Sequence, residues 1–223
     1  MSAAPALVVC DLVGTTVQAD DAVPRAFADV VAAEGVALTD DQIQAVRGAT
    51  KRQALAALLP AGPDLSGRVD RAYASFQARL RAAYTPGAVA AVPGAAAVIA
   101  GLRGRGVRVV LTTGFDRALT THLLAALGWQ AIADAVVCGD EVAAGRPAPD
   151  LILRAMALTG VGAPGRVASV GHTALDLQAG AAAGVGWNVG VWSGAHDRAR
   201  LAAAPHTHLC ASVAEVPGVL GLF

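Results

Sequence analysis

The fold of this chain follows from residues 6–16, which read Ala6-Leu7-Val8-Val9-Cys10-Asp11-Leu12-Val13-Gly14-Thr15-Thr16. The apolar run that precedes Asp11 is typical of a strand covered on both faces in a parallel α/β sheet. Because ligands bind at the carboxyl ends of such strands, Asp11 lies where chemistry is expected. The simpler alternative, that Asp11 only caps the turn after the strand, stays open on this stretch alone.

Length and charge restrict the function classes. The chain has 223 residues, enough for one α/β domain of ordinary size with a smaller inserted domain. Its 17 basic and 17 acidic residues give a formal net charge of +0, and they form no blocks of like charge. This pattern argues against binding of nucleic acid or of an anionic membrane. We therefore expect a small-molecule partner.

Cysteine usage and hydropathy indicate the cellular setting. The 3 cysteines show no CxxC spacing, so neither a disulfide framework nor a zinc site is indicated. The amino terminus lacks the features of a signal peptide. The most apolar long segment, residues 89–102, contains Pro93 and Gly94 and is too short to cross a bilayer. We expect a cytoplasmic protein with no membrane partner.

The pattern along the chain changes character twice. Residues 24–83 are helical in pattern, with helices predicted over 24–34, 40–48, 51–59 and 65–83. Strands and helices then alternate, with strands predicted over 107–111, 134–138, 166–170, 185–191 and 208–211. This alternation predicts an α/β fold with a doubly wound, mostly parallel, Rossmann-like sheet. The predicted domains are an α/β core of residues 1–17 plus 88–223 and an inserted all-helical cap of residues 18–87.

Polar residues follow successive predicted strands and should meet at one edge of the sheet. Asp11 could attack phosphorus as a nucleophile and form an acyl phosphate that water hydrolyses. Thr113 could hold phosphoryl oxygens, and Arg146 offers a permanent positive charge to neutralise them. Asp176 could hold Mg²⁺ together with Asp11.

Each of these residues also has a purely structural interpretation. Thr113 could cap the helix that follows it, and Asp176 could cap its own helix. Arg146 could pair with an acid at the surface. The residues alone leave both sets of interpretations open.

Taken together, four motifs resemble those of the haloacid dehalogenase superfamily, in the right order and spacing. They are Asp11-Leu12-Val13-Gly14-Thr15, Leu111-Thr112-Thr113-Gly114-Phe115, Gly145-Arg146-Pro147-Ala148-Pro149-Asp150 and Val170-Gly171-His172-Thr173-Ala174-Leu175-Asp176. The resemblance covers essentially the whole chain, including the helical cap. It implies catalytic roles for Asp11, Lys51, Thr113 and Arg146, substrate binding by Thr15 and Gly114, and a metal site formed by Asp11, Val13, His172 and Asp176.

Within the superfamily the chain is most similar to phosphonoacetaldehyde hydrolases and other phosphonatase-like hydrolases. Val13 stands where the phosphatases have a proton-donating Asp, and Arg146 stands where most members have Lys. In the mechanism that the resemblance implies, a cap lysine forms a Schiff base with an aldehyde. Lys51 lies at the matching position and is the only lysine of the chain. The alternative that Lys51 merely binds an anion of the substrate stays open.

The chain departs from the phosphonatase pattern at three positions. Ala54 replaces a His three residues after the Schiff-base lysine, and Arg47 replaces a Met four residues before it. His172 replaces the first metal-binding Asp of the fourth motif. Mg²⁺ is the expected cofactor, with Mn²⁺ or another divalent cation as the alternative because an imidazole ligand suits those metals better.

These observations lead to several hypotheses of function. The first is a phosphonatase-like hydrolase that acts on a small phosphonate or phosphorylated metabolite through an aspartyl-phosphate intermediate. The second is a small-molecule phosphomonoesterase, and a dehalogenase is a weaker third. A catalytically degraded fold kept as a binding protein is the alternative from another class. Pairing through the caps would give a homodimer.

Overall fold

The computed structural model describes residues 4–19 and 21–222. The predicted domains also include residues 1–3, 20 and 223, which lie outside the described residues. Six parallel strands form one sheet in the order β3-β2-β1-β4-β5-β6. They are β1 (Leu7–Asp11), β2 (Arg108–Thr112), β3 (Ala135–Val137), β4 (Val167–Gly171), β5 (Trp187–Val191) and β6 (His208–Cys210). The predicted Rossmann-like sheet is confirmed.

This strand order reverses direction between β1 and β4. All five residues of β1 are buried, as expected for a central strand covered on both faces. The register pairs Asp11 with Thr112 of β2 and Cys10 with Val170 of β4. The end of β1 therefore lies at the topological switch point, where crevices form in open α/β sheets.

Ten helices accompany the sheet in the described part of the chain. They are α1 (Ala22–Ala32), α2 (Asp40–Val46), α3 (Lys51–Leu58), α4 (Leu65–Ala83), α5 (Ala95–Gly104), α6 (Arg117–Ala126), α7 (Asp150–Thr159), α8 (Ala174–Ala183), α9 (Arg198–Ala202) and α10 (Val216–Val219). Short 3₁₀ helices cover Gly139–Glu141, Pro164–Arg166 and Val213–Glu215. The sequence did not predict α9 and α10, because four or five residues are too few to show helical periodicity.

Helices α1 to α4 occupy the segment predicted as the cap. They pack on one another, and α4 also contacts α6. Phe27 of α1 and Phe76 of α4 are fully buried, with ring centroids 4.7 Å apart. Tyr73 and Gln77 of α4 both donate hydrogen bonds to Asp116, which caps α6 in the core. The division into two domains stays a prediction. Among the described residues, no helix is long and apolar enough to cross a membrane.

Candidate active site

A small cavity opens at the end of β1, between the sheet and helices α1 to α3. Its volume is about 50 Å³. It is lined by Asp11, Val13, Ala19, Val23, Phe27, Arg47, Gly48, Lys51, Thr113, Gly114, Phe115, Arg146 and His172. This lining combines apolar side chains with charged ones. The cavity therefore brings together most of the residues that the sequence predicted for the site.

Asp11 is held as a carboxylate by the groups around it. It is 5% exposed, and its two oxygens lie 2.9 Å from Nη2 of Arg146 and 3.0 Å from Nδ1 of His172. Thr15 donates a longer hydrogen bond of 3.4 Å to it. Burial alone would raise the pKa of Asp11, but the charge of Arg146 and the hydrogen bond from His172 outweigh burial and lower the pKa. The side chain is thus ionised and available as a nucleophile.

Arg146 joins the two acids of the site through one guanidinium. Its Nη2 contacts Asp11 and its Nε lies 2.7 Å from Asp176. It also donates to the hydroxyl of Thr112 at 3.0 Å and to the carbonyl of Gly48 at 3.2 Å. Burial opposes the charge, but the two carboxylates raise the pKa of Arg146 above its ordinary value. Its acid partners are buried, so it is not the surface ion pair of the structural alternative.

The position of Arg146 differs from the expected end of a strand. Strand β3 ends at Val137, and Arg146 lies in the loop between β3 and α7, where its peptide bond to Pro147 is cis. The loop turns back through a hydrogen bond from Ala148 N to Gly145 O. Loop geometry rather than sheet geometry therefore brings the guanidinium to Asp11.

Asp176 has both of the roles that the sequence left open. Thr173 and Asp176 form a capping box at the start of α8, with the Thr173 hydroxyl 2.6 Å from Oδ2. The other oxygen, Oδ1, accepts from Arg146. Asp176 is 4% exposed but does not line the cavity. The carboxylate of Asp176 thus takes part in the cap of α8 and also pairs with the buried guanidinium of Arg146.

Asp11, His172 and Asp176 could hold a metal ion. Their ligand atoms lie within 4.8 Å of one another and all three residues are buried. Two carboxylates and one imidazole fit a divalent cation that accepts both oxygen and nitrogen ligands. Arg146 already supplies one positive charge to the two carboxylates, which lets them lie close together. The predicted participation of Val13 stays a prediction, and its side chain lines the cavity.

The remaining predicted residues lie around Asp11 in different ways. Thr15 is fully buried, does not line the cavity, and contacts Nδ1 of His172 at 3.3 Å. Thr113 lines the cavity and accepts from Phe115 N at 3.1 Å, while Asp116 rather than Thr113 caps α6. The turn after β1 needs Gly14, because φ is +98° and a Cβ would lie 2.5 Å from His172 Nε2.

Lys51 is the first residue of α3 and reaches the cavity from the cap side. It is 8% exposed, and its Nζ donates to Ala49 O at 3.2 Å. Nζ also lies 5.8 Å from the centre of the Phe27 ring and 5.3 Å from that of Phe115. Burial, with a further contribution from the charge of Arg146, lowers the pKa of Lys51 to about 8. Roughly a tenth of this amine is therefore uncharged at pH 7, far more than for an ordinary lysine.

A close contact between loops fixes the position of Lys51. Its backbone N–H donates to Gly114 O at 3.3 Å. A Cβ on Gly114 would lie 2.5 Å from Ala49 O, so only glycine lets the loop before α3 approach this closely. The predicted role of Gly114 in substrate binding stays a prediction. In the structure Gly114 packs directly against the loop that precedes α3.

Sequence reasoning did not assign Arg47, Phe27 and Phe115 to the site, although all three line the cavity. Arg47 follows the last residue of α2, and its extended backbone starts the loop that leads to Lys51. The sequence offered one signal for Arg47, because this arginine stands four residues before Lys51, where the phosphonatases have a methionine. The two phenylalanines carried no signal, because buried aromatic residues in helices and after strands are common.

Comparisons with known proteins identify similar sequences and a family model. Residues 5–184 match the family model of the haloacid dehalogenase-like hydrolases. A phosphonoacetaldehyde hydrolase of Paraburkholderia xenovorans is 31% identical over 201 residues, which cover 82% of this chain and 73% of that protein. A protein of Dickeya dadantii named "Probable phosphatase IndB" is 32% identical over 220 residues, which cover 95% of this chain and 92% of that protein.

A solved structure shows the same fold. The phosphonoacetaldehyde hydrolase-like protein of Oleispira antarctica superimposes with a TM-score of 0.86 at 20% identity. The superposition covers 99% of this chain and 92% of that chain. The fold match therefore includes the helices α1 to α4 as well as the sheet.

Proposed function

The chain belongs to the haloacid dehalogenase-like hydrolases, and we propose that it cleaves the C–P bond of a small phosphonate through a phosphorylated Asp11. The observation that carries this proposal is that Asp11 and Lys51 line one small, largely buried cavity. A carboxylate nucleophile and an amine of lowered pKa are the two groups needed to break a C–P bond next to a carbonyl.

Asp11 supplies the nucleophile. Its low pKa keeps it ionised, and Arg146 and His172 hold its two oxygens in fixed directions. Attack of one oxygen on phosphorus forms an acyl phosphate, while Thr113 lines the cavity where the phosphoryl oxygens would lie. Water then hydrolyses the acyl phosphate and restores the carboxylate. A divalent cation held by Asp11, His172 and Asp176 would neutralise phosphoryl charge.

Lys51 supplies the electron sink. Its uncharged amine condenses with the carbonyl of the substrate and releases water. The resulting iminium accepts the electron pair of the breaking C–P bond, so that the carbon departs as an enamine. This route needs no acid at position 13, where Val13 has no proton to donate. Protonation of the enamine and hydrolysis of the imine release the product and the amine.

A second candidate is a small-molecule phosphomonoesterase, which is favoured by the similarity to the Dickeya protein named a phosphatase. An alkoxide leaving group needs a proton, and no acidic residue other than Asp11 lines the cavity among the described residues. The protonated form of Lys51, with a pKa of about 8, lines the cavity and could donate it. Lys51 would then act as a general acid instead of an imine-forming amine.

The test measures phosphate release from phosphonoacetaldehyde and from a panel of phosphomonoesters, with Mg²⁺ or Mn²⁺ and with neither. Borohydride reduction in the presence of phosphonoacetaldehyde should trap an adduct on Lys51, seen as a mass shift on the peptide that contains it. Lys51→Arg keeps the charge, cannot form an imine, and is the matched control. Ester hydrolysis without any adduct would replace the first proposal by the second. No turnover with either substrate class would favour a binding protein.

A further inference from the structure

Arg47 is a charged residue of the cavity that the proposed reaction does not use. It lies just after α2 and lines the same cavity as Asp11 and Lys51. The next residue, Gly48, has φ of +92° and gives its carbonyl to Arg146. The backbone next to Arg47 is therefore held in place by the hydrogen bond between Gly48 and Arg146.

Arg47 is half-buried and carries one buried donor without a partner. Its Nε has no hydrogen-bond partner within residues 4–19 and 21–222. Burial lowers the pKa of Arg47, and Asp21 and Tyr84 oppose this only through longer-range charge interactions. The side chain of Asp21 is exposed, and its Oδ2 lies 3.5 Å from Nη2 of Arg25. A buried guanidinium N–H without an acceptor is costly, and a ligand anion in the cavity could supply that acceptor.

The contacts of Arg146 and Lys51, the other two cations of the site, indicate which anion Arg47 would bind. Arg146 is occupied by Asp11, Asp176 and two oxygens of the protein. Lys51 donates to the carbonyl of Ala49, and in the described part of the chain no acid lies within hydrogen-bonding distance of it. The positive charge of Arg47 also acts on Lys51, which shows that the two cations face the same small space. A substrate that places its phosphonate at Asp11 and its carbonyl at Lys51 leaves Arg47 for a third group.

We infer that the substrate carries a carboxylate next to the carbonyl, that is, that it is a small phosphono-2-oxo-carboxylic acid bound through Arg47. The planar guanidinium matches a carboxylate with two parallel hydrogen bonds. The inference rests on the proposed function, because it places the phosphonate at Asp11 and the carbonyl at Lys51.

The reaction balances with this substrate. Lys51 and the ketone form an iminium and water, and Asp11 attacks phosphorus. The electron pair of the C–P bond moves into the iminium and gives an enamine, which takes a proton on carbon. Hydrolysis then releases a 2-oxo acid from Lys51 and inorganic phosphate from Asp11. Arg47 keeps its contact with the carboxylate throughout and is therefore a specificity-determining residue.

Steady-state kinetics with 3-phosphonopyruvate and phosphonoacetaldehyde test the inference. We expect the wild type to prefer 3-phosphonopyruvate, and Arg47→Met to lower kcat/KM for it by roughly 30- to 100-fold, the range for a charged hydrogen bond. The same variant should change kcat/KM for phosphonoacetaldehyde by less than about threefold. Arg52→Met removes an exposed cation one residue from Lys51 and is the matched control, with no expected effect on the ratio.

Binding without turnover provides a second readout. 3-Phosphonopropionate cannot form an imine and carries the carboxylate, whereas propylphosphonate lacks it. Calorimetry should show the first binding the wild type at least about tenfold more tightly, with the difference lost in Arg47→Met and in the polar variant Arg47→Gln. Equal affinities in the wild type, or an unchanged preference in both variants, would overturn the inference. Failure of the proposed function looks different, because neither phosphonate substrate would then release phosphate.

Discussion

Replacing Lys51 by methionine is expected to stabilise the protein while removing its activity toward carbonyl substrates. Lys51 is 8% exposed, and its ammonium group has no acid within hydrogen-bonding distance among the described residues. Its pKa falls from an ordinary 10.5 to about 8 on folding. Each pKa unit corresponds to about 1.4 kcal/mol, so the buried charge costs at most roughly 3 kcal/mol at pH 7. Methionine fills a similar volume without a charge.

The sign of the pH dependence follows from the lowered pKa. Below about pH 8 Lys51 is protonated in both the folded and the unfolded state, so the full cost applies. Between about pH 8 and pH 10.5 the folded state has released the proton and the unfolded state still holds it, so the stability of the wild type rises with pH. Above about pH 10.5 Lys51 is uncharged in both states, and the free-energy cost of burying its charge disappears. The advantage of Lys51→Met should therefore be largest near pH 7 and small near pH 10.5.

Urea unfolding followed by tryptophan fluorescence measures this difference. We expect Lys51→Met to raise the free energy of unfolding by about 1–3 kcal/mol at pH 7, with less than about 1 kcal/mol left near pH 10. Arg52→Met, which breaks an exposed ion pair with Asp70, should change stability by less than about 0.5 kcal/mol at either pH. A methionine variant less stable than the wild type at pH 7, with no change toward alkaline pH, would refute the buried, unpaired charge.

Three further substitutions test the rest of the site. Arg146→Met should destabilise the fold by about 3–5 kcal/mol in urea unfolding, because it removes the buried guanidinium that neutralises both Asp11 and Asp176. His172→Asp should tighten Mg²⁺ binding roughly tenfold in calorimetry, since it adds a hard oxygen ligand; unchanged affinity would remove His172 from the metal site. Gly114→Ala should lower kcat on any accepted substrate by displacing the cap loop, and an unaltered kcat would show that the loop tolerates the methyl group.

The central features of the site could be predicted because each depends on local sequence. The apolar run that ends at Asp11 identifies the central strand, and a single lysine in an arginine-rich chain singles out Lys51. The role of Asp176 could be predicted only as two alternatives, since one oxygen caps a helix and the other contacts Arg146. Thr15 was assigned to substrate binding, but whether its hydroxyl faces the cavity depends on the turn that follows β1.

What sequence patterns could not reveal depends on distant elements. Whether a buried donor has an acceptor is decided by every segment that packs around it. The buried Nε of Arg47, which has no partner in the part of the chain that the structure describes, therefore has no local signature. The lowered pKa of Lys51 has the same origin, because burial under α1 and beside Phe115 comes from tertiary packing. Helices α9 and α10 were missed for another reason, since they are shorter than the window that periodicity needs.

The loop of residues 47–51 couples the cap helices to the chemistry. Two of its side chains, those of Arg47 and Lys51, line the cavity. Its backbone accepts from Arg146 through Gly48 and donates to Gly114 through Lys51 N. Because Arg47 and Lys51 belong to one short segment held at these two backbone contacts, a displacement of the loop moves both side chains together and removes the Gly48 oxygen from Arg146. The contact of the loop with Gly114 therefore sets the positions of the amine and of the Arg47 guanidinium relative to Asp11 at the same time.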